Sequence, residues 1–399
     1  MRLHPDPAPP GDRPSGRKKL RQLKSDLTTR PNAPHRVTLT LTRGPAAGPS
    51  TVLSSSAGVR SATKFSETSV AERITELTAT GLLRDGRVLE HRPGQGQRRA
   101  RRRLKPLISH KGIHLMPTID VLDSTIHYED HGSGATVVFL HGNPSSSHTW
   151  RKVLPLVGAG RLIAPDLIGM GRSGKPVSDY RFADHARYLD AFFDALGLEE
   201  VVLVGHDWGG SLAFDWAAQH PDRVRGLAFF ETIVRPIASN ELSEQARARA
   251  AKLRTTEGES LLLDSHFLID TAYTGGVLSP LSEEELDLYR APYPTRESRR
   301  PLMNWTRSLP IDGDPADATA RIDAYGTWLA RSQDVPKLLL TFDSSPTLLI
   351  TAELAAWCKD NIAGLQIEHC GPAGHHASED QPETIAAAIS TWMDQQNLR

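Results

Sequence analysis

Asp207 stands in the middle of a pattern that leaves the backbone few options, a strand, a tight turn and a helix within VVLVGHDWGGSLAFDWA. The apolar run over residues 201–204 predicts a buried strand, and the apolar-periodic run over 211–218 predicts a helix. Only a sharp turn fits between them, and Gly205 and Gly209 are the small neighbours that such a strained turn needs. The Asp207 side chain is then exposed above the edge of a sheet. A carboxylate there can attack carbon and form an ester, which a second step hydrolyses.

Charge is distributed unevenly along the 399 residues, although the formal net charge of the whole chain is zero. Residues 1–115 contain 23 Lys and Arg against 8 Asp and Glu, a net charge of +15, and the remainder carries −15. The sequence therefore predicts a basic N-terminal extension over residues 1–115 and an acidic globular domain over residues 116–399.

The N-terminal extension is rich in Pro, Ser and Arg and poor in aromatic residues, so it is predicted to be mostly disordered. One short helix is expected over residues 69–83. The run RRARRRLK is interpreted as a solvated basic cluster; the alternative, nucleic-acid binding, has no accompanying recognition motif. A further interpretation is that translation naturally starts at Met116, so that the extension is an over-extended start-codon assignment.

Neither a membrane segment nor a cysteine-based site is predicted. No run of 18 apolar residues exists, and the N-terminus lacks the apolar core of a secretory signal, so we expect a soluble cytoplasmic protein. Two cysteines, Cys358 and Cys370, are too few to indicate a disulfide framework or a thiolate metal site, and we expect both to be packing residues.

From Met116 onward, strand-like and helix-like segments alternate, which predicts a mostly parallel sheet with helices on both faces. Eight strands are predicted, over residues 118–121, 125–129, 136–140, 161–164, 201–204, 224–230, 337–341 and 366–369. Helices are predicted over residues 182–196, 211–219, 315–332 and 382–395.

One long interval, residues 235–308, breaks this alternation with helix-like, charged and Pro-containing stretches. It predicts a helical cap inserted between the two parts of the main domain, residues 116–234 and 309–399. In open α/β sheets the ligand site lies at the carboxyl edge of the strands. A cap above that edge would enclose the site.

The segment HGNPSSSHTW follows the apolar strand VVFL and contains Asn143. A turn after the third strand of such a sheet supplies one backbone N–H of an oxyanion hole, and the residue after the nucleophile, Trp208, supplies the other. The Asn143 side chain has two interpretations: a turn asparagine before proline, or an amide directed into the site.

Glu231 ends the strand that follows the turn, in FFETIVRP, and an acid there is costly to bury without a partner. A histidine would satisfy it. The segment EHCGPAGHHASEDQPE offers two, His375 and His376, between which these considerations do not decide. Asp343, beside the seventh predicted strand, is the alternative acid, and Glu231 is preferred.

Five segments in order resemble the haloalkane dehalogenases of the α/β-hydrolase fold, in the subgroup whose catalytic acid is a glutamate after the sixth strand: HGNPSSSHTW, PDLIGMGRSGKP, LGLEEVVLVGHDWGGSLAFDWA, FFETIVRPI and GPAGHHASED. The resemblance extends over residues 116–392. It implies the following roles: nucleophile Asp207, general base His375, orienting acid Glu231, and halide-binding residues Asn143 and Trp208.

The resemblance also bears on the choice between the two histidines. The family's base is followed four and five residues later by Glu and Asp, which Glu379 and Asp380 supply if His375 is the base. His376 then takes a position that usually holds an aromatic or other bulky residue.

The activity that the resemblance implies is hydrolysis of haloalkanes to a primary alcohol, halide and a proton through an alkyl-aspartate ester. The Trp208 indole and the Asn143 amide are two N–H donors that can hold a halide in an apolar pocket, so no metal or other cofactor is expected. The expected partners are a small halogenated aliphatic substrate, water and the halide product. Neither nucleic acid nor membrane is expected as a partner, and the chain is expected to be a monomer.

Three alternatives remain open on the sequence. GHDWGG is also typical of epoxide hydrolases, which use the same nucleophile and base with two cap tyrosines, and Tyr273, Tyr289 and Tyr293 lie in the predicted cap. Coelenterazine-type luciferases of this fold share the Asp, His and Glu arrangement. A non-catalytic ligand receptor would be favoured if one of the five site residues were missing, and none is.

Overall fold

The structure is a computed structural model that describes residues 117–158, 160–343 and 347–399, and the backbone of five short strands nearer the N-terminus. The chain divides into two compact units, residues 1–108 and 109–399. The strands of the first unit are antiparallel: Val37–Thr42, Ser50–Ser55 and Thr63–Phe65 form one sheet, and Leu83–Arg84 pairs with Arg87–Val88. The predicted disorder and the predicted helix over 69–83 fall largely outside the described residues and stay predictions.

The second unit is built on an eight-stranded sheet, as the sequence predicts. Its strands are β1 (Thr118–Val121), β2 (Ser124–Ser133), β3 (Thr136–Leu140), β4 (Gly160–Pro165), β5 (Val201–His206), β6 (Val224–Phe230), β7 (Lys337–Asp343) and β8 (Leu365–Pro372). Their spatial order is β8-β7-β6-β5-β3-β4-β2-β1. Neighbours from β8 to β4 are parallel, whereas β2 is antiparallel to β4 and β1, so the sheet is mostly parallel.

Alternate residues of the central strands face two different cores, because successive side chains of a strand point to opposite faces. In β5, Val201 and Leu203 belong to one core, whereas Val202 and Val204 belong to the other. This alternation explains why the strand is apolar throughout, as expected for a strand that is buried on both faces.

Helices cover both faces of the sheet. The helices of the described second unit are α1 (Phe182–Leu196), α2 (Trp208–Gln219), α3 (Glu244–Leu253), α4 (Thr256–Asp264), α5 (Phe267–Gly275), α6 (Glu283–Arg290), α7 (Arg300–Arg307), α8 (Ala316–Leu329), α9 (Ala352–Asn361), α10 (Ala377–Asp380) and α11 (Pro382–Gln395). Residues of α1, α2 and α8 pack in the first core, and residues of α11 pack in the second. None of the described helices is long and apolar enough to span a bilayer.

The helices α3 to α7 occupy the interval that breaks the alternation, between β6 and α8. Two further helices, α9 and α10, were not predicted. Only one residue of α9, Cys358, is buried, so the segment lacks the apolar periodicity from which a helix is inferred. Cys370 is also buried, and both cysteines are free thiols.

Four loops at the carboxyl ends of parallel strands carry the predicted site residues. Asn143 follows β3, Asp207 follows β5, Glu231 follows β6 and His375 follows β8. Because these strands run in the same direction, their carboxyl ends meet at one edge of the sheet, where ligands bind in open α/β folds.

Candidate active site

Asp207 occupies a strained turn between β5 and α2, with φ of 51° and ψ of −131°. Residues other than glycine rarely adopt such a conformation, which persists where the surroundings enforce it. The flanking glycines allow it: a Cβ on Gly209 would lie 2.1 Å from the carbonyl oxygen of Leu140, and one on Gly205 would lie 2.4 Å from Gly210 Cα. The turn therefore packs directly against the end of β3, as the sequence pattern predicts.

His375 lies between two carboxylates. Its Nε2 is 3.5 Å from Asp207 Oδ2, and its Nδ1 is 3.1 Å from Glu231 Oε2. The Glu231 side chain is 1% exposed and the His375 side chain 15%, so only the histidine is reachable from solvent. The ring can accept a proton on the side of Asp207 while Glu231 fixes its orientation.

Backbone amides hold the Glu231 carboxylate in place. The N–H groups of Leu349 and Ile350 donate to its two oxygens at 2.7 and 3.3 Å. Burying a carboxylate is costly unless it is paired and hydrogen-bonded. Here His375 and two backbone amides form hydrogen bonds with the carboxylate, which hold Glu231 in position to orient the His375 ring.

The structure does not bring the alternative acid and base into this arrangement. Asp343 is exposed, and its Oδ1 lies 3.1 Å from His369 Nε2. His376 stacks on Tyr273 with ring centroids 4.5 Å apart, and its Nδ1 has no hydrogen-bond partner among the described residues. The geometry thus favours Glu231 and His375 over Asp343 and His376.

The paired charges shift the pKa values of both Asp207 and His375. Burial alone would lower the pKa of His375, but the carboxylates of Asp207 and Glu231 outweigh it and raise that pKa to about 10. Burial would raise the pKa of Asp207, yet the hydrogen bond and charge of His375 keep it below its ordinary value. The two carboxylates therefore favour the protonated form of His375 over the neutral form.

A cavity of about 550 Å³ opens above Asp207 and His375. Trp208 lines it and stacks on Trp305 of α7, with ring centroids 4.6 Å apart. Trp305 is not predictable from the local sequence, because its contact with Trp208 joins segments almost one hundred residues apart. The helices α3 to α7 contribute much of the remaining wall, with apolar residues such as Leu268 and polar ones such as Arg249.

Asn143 contacts the nucleophile through its backbone. Its N–H donates to Asp207 Oδ1 at 2.8 Å, where an oxyanion-hole donor is expected. Its side-chain amide bonds to α7: Nδ2 donates to Leu302 O and Thr306 Oγ1, both at 3.1 Å, and Oδ1 is buried without a partner among the described residues. The side-chain amide of Asn143 is therefore hydrogen-bonded to α7. Rotation of the amide group by about 180° would exchange the positions of its nitrogen and oxygen.

Asp166 fixes the loop that carries Asn143, a role that the sequence analysis missed. One of its carboxylate oxygens accepts from Ser147 N at 2.6 Å, and the other accepts from Arg172 N at 2.8 Å and lies 3.0 Å from His127 Nδ1. Burial opposes ionisation, but these groups outweigh it and lower the Asp166 pKa to about 2. Asp166 belongs to the segment PDLIGMGRSGKP, which resembles the family, but that resemblance does not indicate its hydrogen-bond partners.

The three tyrosines of the predicted cap do not face the cavity. Tyr289 donates to Glu379 at 2.5 Å, Tyr293 lies 3.5 Å from the carbonyl oxygen of Ser145, and the hydroxyl of Tyr273 has no hydrogen-bond partner among the described residues. All three are at most 2% exposed, and none lines the cavity. Burial raises the pKa of each hydroxyl, which makes all three poorer acids. The tyrosine pair of an epoxide hydrolase is therefore missing from this cavity.

Comparison with known proteins gives the family. Residues 135–382 match the family model of the alpha/beta hydrolase fold. A haloalkane dehalogenase of Mesorhizobium japonicum is 46% identical over 281 residues, which cover 69% of this chain and 90% of the relative. The chain belongs to the haloalkane dehalogenase family. A second haloalkane dehalogenase, from Agrobacterium fabrum, is 44% identical and covers 67% of this chain and 88% of its own length.

A solved structure supports the same placement. The haloalkane dehalogenase DatA of Agrobacterium tumefaciens C58 is 41% identical and superposes with a TM-score of 0.67, covering 70% of this chain and 96% of its own. The α/β-hydrolase fold predicted from the sequence is thereby confirmed for this member of the haloalkane dehalogenases.

Proposed function

We propose that the protein hydrolyses carbon–halogen bonds of small haloalkanes to a primary alcohol, halide and a proton. The arrangement of Asp207, His375 and Glu231 at the base of a cavity carries this proposal, because it pairs a carboxylate nucleophile with an oriented base. The volume of the cavity suits a small aliphatic substrate. A non-catalytic receptor would have no need of a histidine held between two buried carboxylates.

The first step is displacement of halide by Asp207. Because Oδ1 accepts the Asn143 backbone N–H, Oδ2 is the oxygen that attacks carbon, and the bonding electrons leave with the halide. The lowered pKa of Asp207 keeps the nucleophile ionised. We propose that the Trp208 indole N–H binds the departing halide. The side-chain N–H₂ of Asn143 becomes a second donor to the halide when its amide group rotates and breaks its hydrogen bonds with α7.

The second step is hydrolysis of the alkyl ester, and the first step prepares it. Forming the ester removes the charge of Asp207, so His375 keeps one neighbouring carboxylate instead of two. Its pKa falls, the ring releases its proton, and the neutral imidazole takes a proton from water. Water attacks the ester carbonyl carbon while His375 takes its proton, and the backbone N–H groups of Asn143 and Trp208 stabilise the oxyanion on Oδ1. The bond between the carbonyl carbon and the alkyl oxygen then breaks, protonated His375 gives its proton to that oxygen, and the alcohol leaves. The carboxyl proton that remains on Asp207 passes back to His375, which restores the starting state. Groups of this chain serve every step, so we propose that no cofactor is needed.

Halide release measured beside epoxide hydrolysis tests the proposal. We expect bromide from 1-bromobutane, chloride more slowly from 1-chlorobutane, and no diol from 1,2-epoxybutane. Trp208→Phe should lower bromide release by roughly 10² to 10³, the worth of one aimed donor at such sites. Trp328→Phe, on α8 outside the cavity, is the matched control and should be unaffected. Epoxide hydrolysis without halide release, or undiminished release by Trp208→Phe, would contradict the assignment.

We also propose that the protein is a cytoplasmic monomer in which the hydrolase domain, residues 116–399, carries all the activity. The two free, buried thiols agree with a reducing compartment. Light scattering of the purified chain tests the monomeric state, which the mass of a dimer would contradict. Fractionation of cells tests the location, which an exported protein would contradict.

A further inference from the structure

Three histidine rings meet beside the nucleophile, and the proposed reaction uses one of them. His206, His375 and His376 each have a ring nitrogen within 4.8 Å of the other two. Their ring centroids are 5.0 Å (His206–His375), 4.9 Å (His375–His376) and 5.7 Å (His206–His376) apart. His206 is the residue before Asp207, and His376 follows the base, so both lie next to the reacting groups.

Two of these rings have nitrogens without partners. Nδ1 of His206 and Nδ1 of His376 are buried and make no hydrogen bond to the described residues. The two residues are 1% and 2% exposed. Buried polar atoms are nearly always paired, so unpaired ones point to a missing ligand or ion.

The hydrogen bonds of His206 and His375 determine which ring nitrogen of each can bind an ion. Nε2 of His206 lies 2.8 Å from the carbonyl oxygen of His375, an acceptor, so Nε2 carries the proton and Nδ1 carries the lone pair. Nδ1 of His375 lies 3.1 Å from Glu231, so Nε2 becomes its ligand atom when an incoming ion displaces the Nε2 proton. Metal-binding histidines typically donate their other N–H to a carbonyl or a carboxylate. His206 and His375 each have that arrangement.

The dimensions suit a tetrahedral ion after small side-chain movements. Zn–N distances of about 2.0–2.1 Å place the nitrogens of a tetrahedral site about 3.4 Å apart. One ring nitrogen of each histidine already lies within 4.8 Å of a ring nitrogen on the other two, so side-chain rotations that bring the lone-pair nitrogens together would close the cluster. His375 and His376 line the cavity, which supplies the entry path. The carboxylates of Asp207 and Glu231 make the surroundings negative, which favours a cation. Neutral imidazoles select ions such as Zn²⁺ and Ni²⁺ over Mg²⁺ and Ca²⁺.

We propose that His206, His375 and His376 form a binding site for a divalent transition-metal ion of the Zn²⁺ class, and that its occupation stops turnover. The ion takes the lone pair on His375 Nε2 that would otherwise accept a proton from water. Only the inhibition rests on the role proposed for His375; binding of the ion does not.

Titration of the chelator-treated full-length protein with zinc sulfate tests the site. Calorimetry should show one ion bound per chain, bromide release should stop as the ion binds, and EDTA should restore it. Magnesium sulfate should do neither. His376→Phe removes one ligand but no group of the proposed reaction, so it should still turn over and should bind Zn²⁺ at least roughly tenfold more weakly. His369→Phe, an exposed histidine of β8, is the control and should match the unchanged protein.

The proposal is overturned if Zn²⁺ does not bind stoichiometrically, or if it inhibits His376→Phe as strongly as the unchanged protein. Should His376→Phe fail to fold, His206→Gln replaces it, because Gln can still donate to the His375 carbonyl while the Nδ1 ligand is lost. If the protein releases no halide at all, the calorimetric comparison still decides whether the site exists. Failure of the proposed function is thus distinguishable from failure of the metal site.

Discussion

At the scale of residues, Asp207 combines a strained backbone with a buried charge, and its neighbours compensate for both. The glycines on each side admit the conformation, the Asn143 N–H binds one carboxylate oxygen, and the His375 ring approaches the other. A nucleophile that is ionised and yet poorly solvated is reactive toward carbon. The same charge raises the pKa of His375, so the state of one residue controls the other.

This coupling predicts how stability depends on pH. The folded-state pKa of His375 is raised from 6.5 to about 10, so its contribution to stability is fully present below pH 6.5 and is lost as pH rises through about 10. We expect the difference in melting temperature between the unchanged protein and His375→Gln to be largest near pH 6.5 and to shrink toward pH 10. Thermal unfolding across that range measures it. A difference that does not change with pH would mean that the imidazolium is not formed.

At the scale of elements, the base is held by the short helix that follows it. Glu379 of α10 pairs with Arg151 at 2.5 Å and with Lys152 at 2.8 Å, and accepts from Tyr289 of α6. Asp380 accepts from the backbone N–H of Gly374 at 2.9 Å and from that of Leu278 at 3.0 Å. The loop of His375 is therefore joined by hydrogen bonds to α6 and to the segment after α5.

Weakening this attachment should reduce both stability and turnover. Glu379→Gln removes the buried carboxylate that pairs with Arg151, which keeps the partly exposed Glu285 at 3.4 Å. The loss of stability should therefore be smaller than about 3–5 kcal/mol, the cost that is typical of breaking a fully buried pair. We expect a lower melting temperature and a lower kcat. Glu383→Gln, on the exposed first turn of α11, is the matched control and should change little. Equal behaviour of the two variants in unfolding and kinetic assays would show that the Glu379 network does not support the site.

The elements that the sequence predicted best are those whose pattern is local. Alternation and apolar runs located all eight strands, and α1 and α11 have the predicted bounds. The helix α2 begins at Trp208 instead of Ser211, because the turn at Asp207 leads straight into it. What depends on distant contacts was not predictable from pattern, including α9 and the hydrogen bonds of Asp166.

In the site, too, the features set by local pattern were predictable, and those set by distant contacts were not. The turn, the two glycines and the positions of Asp207 and Glu231 follow from strand ends that the sequence displays. The residue pattern alone does not decide between His375 and His376. That choice depends on tertiary contacts, because one ring reaches Glu231 and the other stacks on Tyr273. The side-chain orientation of Asn143 is set by α7, more than 150 residues away, and no local signal could have indicated it.

At the scale of the whole molecule, the acidic domain contains every group that the proposed chemistry uses. The basic residues 1–115 contribute none of them. We expect residues 116–399 produced alone to retain the melting temperature and kcat/KM of the full chain. Calorimetry and halide-release kinetics on both proteins, at equal ionic strength, measure this. A large loss of either on truncation would show that the extension packs on the domain and that the predicted boundary is wrong.

The covalent ester on Asp207 is the central claim, and intact-mass spectrometry of His375→Phe after incubation with 1-bromobutane tests it most directly. Without a base to activate water, this variant should release one equivalent of bromide and stop with a butyl group in place of a proton, which peptide mapping should assign to Asp207. Asp207→Ala should release no bromide, and His376→Phe should turn over repeatedly without accumulating ester. An ester that accumulates in His376→Phe instead would assign the base to the neighbouring histidine. No ester in either variant, with an active unchanged protein, would contradict the covalent mechanism.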